Sequence, residues 1–219
     1  MCGRFFLDSD FDTIQTFFKL THSIPLKPRY NICPGELIPV LLKPHTLDFL
    51  SWGLLPTWYK QEEKGDHVGF INARVESVNS KPSFKTAFKK RRCIIIANGF
   101  YEWKTIGRIK QPFCIRQSEQ PLIGFAGIWD EANTNLQKTY ASCAILTQAA
   151  SEAIIAIHPR MPVILEPKDY EAWLNPHSKS IIIEKILENS LKNNLYSLPV
   201  STKVNNPAFD TKACIEPLN

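Results

Sequence analysis

The chain has 219 residues, of which 44% are hydrophobic, 21% charged and 11% aromatic, the length and apolar content of one domain with a core of its own. Its 9 Gly and 16 Pro are scattered, which excludes collagen-like, low-complexity and disordered classes. The 26 Lys and Arg against 21 Asp and Glu leave +5 at pH 7, a balance that favours polyanions only mildly, so position matters more than total. No stretch approaches the roughly 18 to 20 apolar residues of a membrane span, and the opening MCGRFFLDSD lacks the apolar core of an export signal, so a cytosolic protein is expected. The six cysteines, Cys2, Cys33, Cys93, Cys114, Cys143 and Cys214, are then expected to be reduced; none belongs to a paired CxxC ladder, and neither disulfides nor a metal site are expected.

In chain order, residues 3–6 read as extended. Asp8, Ser9 or Asp10 then caps a helix whose Phe11, Ile14, Phe17 and Phe18 recur at helical spacing. The proline-rich segment 25–34 reads as an ordered loop, followed by strands over 37–42 and 48–52. A polar loop covers 60–69, and the alternating run 70–76 suits a strand or extended loop. A short helix over 83–88 precedes the uninterrupted apolar run Cys93-Ile94-Ile95-Ile96-Ala97, a buried strand. Further strands are expected over 101–104, 113–116, 122–129 and 142–147, with helices over 149–155, 168–173 and 181–191. Many strands, few helices and no regular βα alternation indicate a single mixed α+β domain over 1–219 with a largely antiparallel sheet.

Cys2 directly follows the initiator methionine, and a small second residue generally allows that methionine to be removed, leaving a 1,2-aminothiol. Its amine titrates near about 7.7 to 8.0 and its thiol near about 8.5, so both are partly nucleophilic at neutral pH. An aldehyde is the natural target: the amine condenses to an imine, the thiol adds to it, and a thiazolidine ring closes. Three polar residues are each followed two positions later by arginine: Cys2 by Arg4, Asn72 by Arg74, His158 by Arg160. In extended backbone such pairs share a face, placing each group beside a guanidinium suited to a phosphate.

In Gly99-Phe100-Tyr101-Glu102-Trp103-Lys104, alternation puts Tyr101 and Trp103 on one face and Glu102 with Lys104 on the other. Partial burial would raise the Glu102 pKa toward the range useful for acid and base work; the plainer reading is a solvated Glu102 paired with Lys104. His158 lies in the apolar, proline-fixed stretch Ala156-Ile157-His158-Pro159-Arg160-Met161-Pro162, which suits proton transfer, or a buried imidazole bonded to backbone. His22, His45, His67 and His177 are expected to face solvent. Trp52 reads as core, whereas Trp58 suits either core or a stacking platform for an unpaired base. The densest basic run, Lys85, Lys89, Lys90, Arg91 and Arg92, reads as a solvated face or a phosphate-tracking rim.

With MCGRF, YNICPGE, SWGLLPTW, INARVES, KPSF, RRCIIIANGFYEWK, QPF, FAGIW and AIHPRMPVIL spread along nearly its whole length, the sequence resembles the SRAP family, the SOS-response-associated peptidases that process abasic sites. The resemblance implies a sheet-rich or barrel-like core with a few peripheral helices, and the mature cysteine in a basic groove for single-stranded DNA. It implies that Cys2 crosslinks the ring-opened abasic sugar, that Asn72 bonds the sugar region, and that Glu102 and His158 serve ring opening and proton transfer. Arg4, Arg74 and Arg160 match phosphate-contacting positions, and Asn31 and Pro34 match the loop that shapes the cysteine's surroundings; Trp58 and Lys104 join the expected DNA-binding set. Lyase-like imine chemistry and autocatalytic removal of Met1 are expected with it.

The expected partners are single-stranded DNA bearing abasic sites and the replication machinery, and the expected state is a monomer, cytoplasmic and nucleoid-associated in a bacterium; no cofactor is expected. Three arginines each neutralising one phosphate would give a salt slope of about −2 to −3. A peptidase or amidohydrolase built on Cys2, and a noncovalent reader of DNA junctions or modified bases, are the competing readings.

Overall fold

The run Cys93–Ala97 has no exposed side chain at all, and a strand covered on both faces is what a continuous apolar segment requires. The computed structural model describes residues 2–22, 24–59, 68–133, 139–190 and 194–218. From the N-terminus come β1 (Phe5–Leu7), α1 (Phe11–Phe18), β2 (Arg29–Ile32), β3 (Leu37–Lys43), β4 (Thr46–Trp52), β5 (Asn72–Arg74), α2 (Val75–Val78) and α3 (Pro82–Lys90). The middle of the chain is strand-rich: β6 (Arg92–Ala97), β7 (Gly99–Ile106), β8 (Ile109–Gln117), β9 (Ile123–Asn133) and β10 (Thr139–Ala149). After these come α4 (Glu152–Ile155), β11 (Arg160–Pro162), β12 (Ile164–Leu165), α5 (Tyr170–Leu174), α6 (Ser180–Asn189) and β13 (Leu195–Pro199).

Five strands close a ring. β10 pairs with β4 in parallel, β4 with β3, β3 with β6, β6 with β9, and β9 returns to β10, these last four antiparallel. Closure removes the free edges of these strands. β5 adds a second parallel pairing to β10, while β11 and β12 lengthen the far ends of β10 and β9. The largely antiparallel, barrel-like α+β domain is therefore present, with two parallel contacts that no local pattern announces.

A second antiparallel sheet, in the order β13-β8-β7-β1-β2, lies beside the ring. β1 joins the two bodies because alternate side chains point to opposite faces. Phe5 and Leu7 enter the main core with Trp52, Phe100 and Phe125, whereas Phe6 enters a smaller cluster with Tyr101, Cys114, Val200, Val204 and Cys214. Gly99 permits the close approach of β7: a methyl there would lie 2.3 Å from the Ile115 carbonyl oxygen and 2.5 Å from Phe6 Cζ.

Local signals hold at α1, where the Asp10 side chain accepts from Thr13 N at 2.8 Å, and at α3, which opens on Pro82 in its first turn. Asp8 is instead paired with Arg116. Several elements differ from expectation, β11 and β12 among them, which form where no strand is expected. The proline-rich loop contains β2, which pairs with β1; β13 was not expected and forms against β8. The run 70–76 is strand only over Asn72–Arg74 before α2 starts. Ala149 belongs to β10 because it pairs with Arg160, which shortens the following helix to Glu152–Ile155. Most of the expected 60–69 loop, His67 and residue 191 of the last expected helix lie outside the described residues. No described helix is long and apolar enough to cross a membrane.

Candidate functional site

Tyr101 N donates to Arg4 O at 3.0 Å, extending the β1–β7 pairing and fixing the arm that carries Cys2. Asn72, at the head of β5, reaches the same arm and donates from Nδ2 to the Cys2 carbonyl oxygen at 2.8 Å. Its Oδ1 is buried and has no hydrogen-bond partner among the described residues, an acceptor left available where a ligand could donate. Cys2 is wholly buried, and its Sγ lies 3.8 Å from Arg4 O, a weak thiol contact. Burial first, and the nearby Glu102 carboxylate second, push the thiol far above its ordinary pKa. A thiol in that state is protonated and is not a resting thiolate nucleophile.

Glu102 projects from β7 opposite Tyr101 and Trp103, as alternation requires. Tyr101 Oη donates to Tyr30 O at 2.7 Å and Trp103 Nε1 to Asn205 Oδ1 at 2.8 Å, both on the side of the smaller cluster. Glu102 is only 3% exposed, with Oε1 3.7 Å from His158 Nδ1. Burial raises its pKa, and the His158 imidazole opposes that rise. The solvated pairing with Lys104 does not form: Lys104 makes no ion pair among the described residues.

His158 N donates to Ile154 O at 3.1 Å, which seats the residue at the end of α4. Its Nδ1 is 2.9 Å from Arg160 O and 3.1 Å from Arg160 N. The first contact needs a proton on Nδ1 and the second needs a lone pair, so the ring is held where either tautomer is satisfied.

The three arginines have different fates. Arg4 donates from Nη1 to Asn31 Oδ1 at 2.7 Å and to Val204 O at 2.8 Å, toward the smaller cluster, while the Cys2 thiol packs in the main core. Arg160 is engaged by Glu76 and by the Thr147 carbonyl. The Arg74 side chain is exposed, with no hydrogen bond or ion pair among the described residues, though its charge acts on Glu76.

Asn31 is fully buried, its Nδ2 within 2.7, 3.0 and 3.2 Å of the carbonyls of Phe209, Asn206 and Val204. It holds the C-terminal segment and Arg4 together and presents no surface to a ligand. Pro34 is half-buried just after β2, and Trp58 is 62% exposed, whereas Trp52 is buried with Nε1 donating to Ile71 O at 2.9 Å. Near Trp58 in sequence, Leu54, Leu55, Pro56, Tyr59 and Phe70 line an apolar cleft of about 310 Å³.

The basic run divides. Arg92 is buried and caps helix ends, Arg91 pairs with Asp130 at 2.8 Å, and Lys85, Lys89 and Lys90 are exposed on α3. His22 and His177 are exposed, but His45 is half-buried, its Nδ1 3.2 Å from Phe18 O. All six cysteines are free and buried, and no cluster of three or more metal-ligating side chains occurs among the described residues. Sequence reasoning passed over Glu76 and the C-terminal Val204 to Asp210 segment. Nothing local marks either: Glu76 lies in α2, where the spacing of extended backbone does not apply, and it meets Arg160 only because β5 and β11 both pair with β10.

Segments far apart in sequence thus meet around Cys2, Asn72 from β5 and Glu102 from β7, with His158 beside Glu102. Residues 1–207 match the family described as SOS response associated peptidase (SRAP). The chain belongs to this family. It is 35% identical over 224 residues to the abasic site processing protein YoqW of Bacillus subtilis, covering 99% of both chains. It is 32% identical over 193 residues to YedK of Escherichia coli, covering 80% of this chain and 79% of that one. To HMCES of Gallus gallus it is 31% identical over 230 residues, covering 88% and 67%. Both carry the same description, abasic site processing protein. A crystal structure of a Bacteroides thetaiotaomicron protein superposes with a TM-score of 0.88 at 21% identity over the whole of both chains, a likeness of fold.

Proposed function

We propose that this SRAP protein, with Met1 removed, captures abasic sites in single-stranded DNA as a thiazolidine formed on Cys2. The observation that carries the reading is the seating of Cys2: its carbonyl is held by Asn72 at 2.8 Å, and its thiol lies close enough to the Glu102 carboxylate, itself beside His158, to feel its charge. An intact nucleotide offers no aldehyde, whereas an abasic sugar equilibrates between a closed hemiacetal and an open aldehyde, so only the lesion reacts.

The high pKa of the thiol orders the steps. The α-amine of Cys2, with an ordinary pKa of about 7.7 to 8.0, attacks the sugar aldehyde carbon, and loss of water leaves an imine. The neutral thiol then adds across the C=N bond, sulfur to carbon and its proton to nitrogen, closing the ring. Overall, aldehyde and aminothiol give thiazolidine and one water. Glu102, its carboxyl pushed above the ordinary carboxylate pKa by burial, serves as the acid that opens the hemiacetal and expels water; its conjugate base and His158 return the proton. The unpartnered Asn72 Oδ1 accepts from a sugar hydroxyl. Arg74 and Lys104 supply positive charge at the rim, and exposed Trp58 offers a base a stacking face.

Intact mass of the purified protein before and after incubation with an abasic single-stranded oligonucleotide tests the reading. The expected result is a species lacking Met1 that gains the DNA mass less one water and survives denaturing gels, absent in Cys2→Ala. An adduct that persists in Cys2→Ala, or peptide cleavage with no adduct, overturns it in favour of another nucleophile or of a peptidase.

A further inference from the structure

The Arg160 guanidinium is already occupied. Glu76 Oε1 lies 2.5 Å from its Nη1 and Glu76 Oε2 3.0 Å from its Nη2, while the Thr147 carbonyl takes a second Nη2 hydrogen at 2.6 Å. Nε is buried and faces no acceptor among the described residues. A bidentate contact to phosphate needs two parallel N–H groups. Every such pair on this guanidinium includes a hydrogen held by Glu76 or by Thr147, or the buried Nε.

The fold imposes this contact. β5 and β11 both pair with β10, placing Arg74 opposite Thr147 and Arg160 opposite Ala149, and α2 begins directly after Arg74 with Glu76 in its first turn. The two partners are unlike in burial: the Arg160 side chain is 17% exposed and that of Glu76 55%. Releasing the pair therefore returns Glu76 to water and strands no buried carboxylate. Arg74, exposed two residues before Glu76 and near enough for its charge to act on that carboxylate, is placed to draw a phosphate toward the pair.

Resting on the reading of the site as a DNA groove, we propose that Glu76 is a specificity-determining residue: its carboxylate occupies the phosphate-binding edge of Arg160, and a strand phosphate must displace it. The consequence is weak noncovalent holding of undamaged strands, which leaves discrimination to the covalent step that only an abasic sugar permits.

The test measures binding of a labelled, undamaged single-stranded oligonucleotide by anisotropy between 50 and 200 mM salt, for wild type, Glu76→Gln, Arg160→Ala and the double variant. Glu76→Gln is expected to bind more tightly than wild type at 50 mM salt, with a salt slope steeper by about 0.7 for one further neutralised phosphate. The gain then shrinks by about 2.6-fold over that fourfold salt range. The double variant is expected to gain less over Arg160→Ala than Glu76→Gln gains over wild type, the remainder coming from the charge of Glu76 on Arg74. Weaker binding by Glu76→Gln would make Glu76 a support for Arg160, and an equal gain in the Arg160→Ala background would reduce it to one negative charge among others; either overturns the proposal. Glu76→Ala carries the same expectation without an amide that could replace the contact. Adduct formation on an abasic strand is followed in parallel: a wild type that crosslinks while Glu76→Gln shows no gain sinks the role of Glu76 alone, and a wild type that neither binds nor crosslinks sinks the DNA reading beneath it.

Discussion

Asn31→Ala removes the joint between the N-terminal arm and the C-terminal segment. Asn31 accepts the Arg4 guanidinium at 2.7 Å, and its amide reaches three carbonyls, of which those of Phe209 and Asn206 are close at 2.7 and 3.0 Å. Two amide hydrogens cannot serve three acceptors fully, so the 3.2 Å contact to Val204 shares one of them. Counting two neutral hydrogen bonds at about 1 kcal/mol each and one charged bond at about 1.5 to 3 gives a loss of about 3.5 to 5 kcal/mol. For a domain of this length, about 2 to 4 °C per kcal/mol converts this to a melting point lowered by roughly 7 to 20 °C. Urea denaturation gives the free energy, and amide exchange reports the place, with residues 201–214 losing protection before the barrel does. A drop below about 2 °C with exchange unchanged in that segment would refute the assignment of Asn31 as its anchor.

Arg92→Ala is expected to cost about 3 to 5 kcal/mol in urea denaturation, because the buried guanidinium serves the carbonyls of Phe88, Lys89, Trp173 and Asn175 at the ends of α3 and α5; a loss below 1 kcal/mol refutes it. Gly99→Ala is expected to destabilise by about 3 kcal/mol and to slow adduct formation, since its methyl would sit 2.3 Å from a backbone oxygen and force β7, with Glu102, to move. Unchanged stability and rate would show that the strand yields freely. Burial raises the Glu102 pKa above the ordinary 4.5, so the folded chain binds the extra proton and loses stability as pH rises from that value through the raised one. Glu102→Gln removes this loss: melting points measured across that window are expected to show the variant gaining on wild type as pH rises, and a parallel pair of curves counts against it.

Much of the candidate site was legible in the residues themselves. Cys2 at the N-terminus, Glu102 in a strand between two aromatics and His158 in a proline-fixed turn stand out as candidates through chemistry and local spacing, and the fold brings Glu102 beside both of the others. The same holds for the core strand Cys93–Ala97, for the Asp10 cap of α1 and for Pro82 at the start of α3. The state of each group was not legible. The i+2 rule places Arg160 beside His158 and says nothing of Glu76, which meets it only because β5 and β11 flank the same strand.

Local pattern by itself determined which segments could be strand or helix and which side chains could react, because backbone preference and apolar alternation act over a few residues. Tertiary structure alone decided that β2 and β13 are strands, that Arg92 is buried while Arg74 is exposed, and that Asn31 binds carbonyls more than 170 positions away. The reason is physical: hydrogen-bond satisfaction, desolvation and charge pairing are sums over neighbours in space, and in a closed barrel those neighbours come from distant parts of the chain.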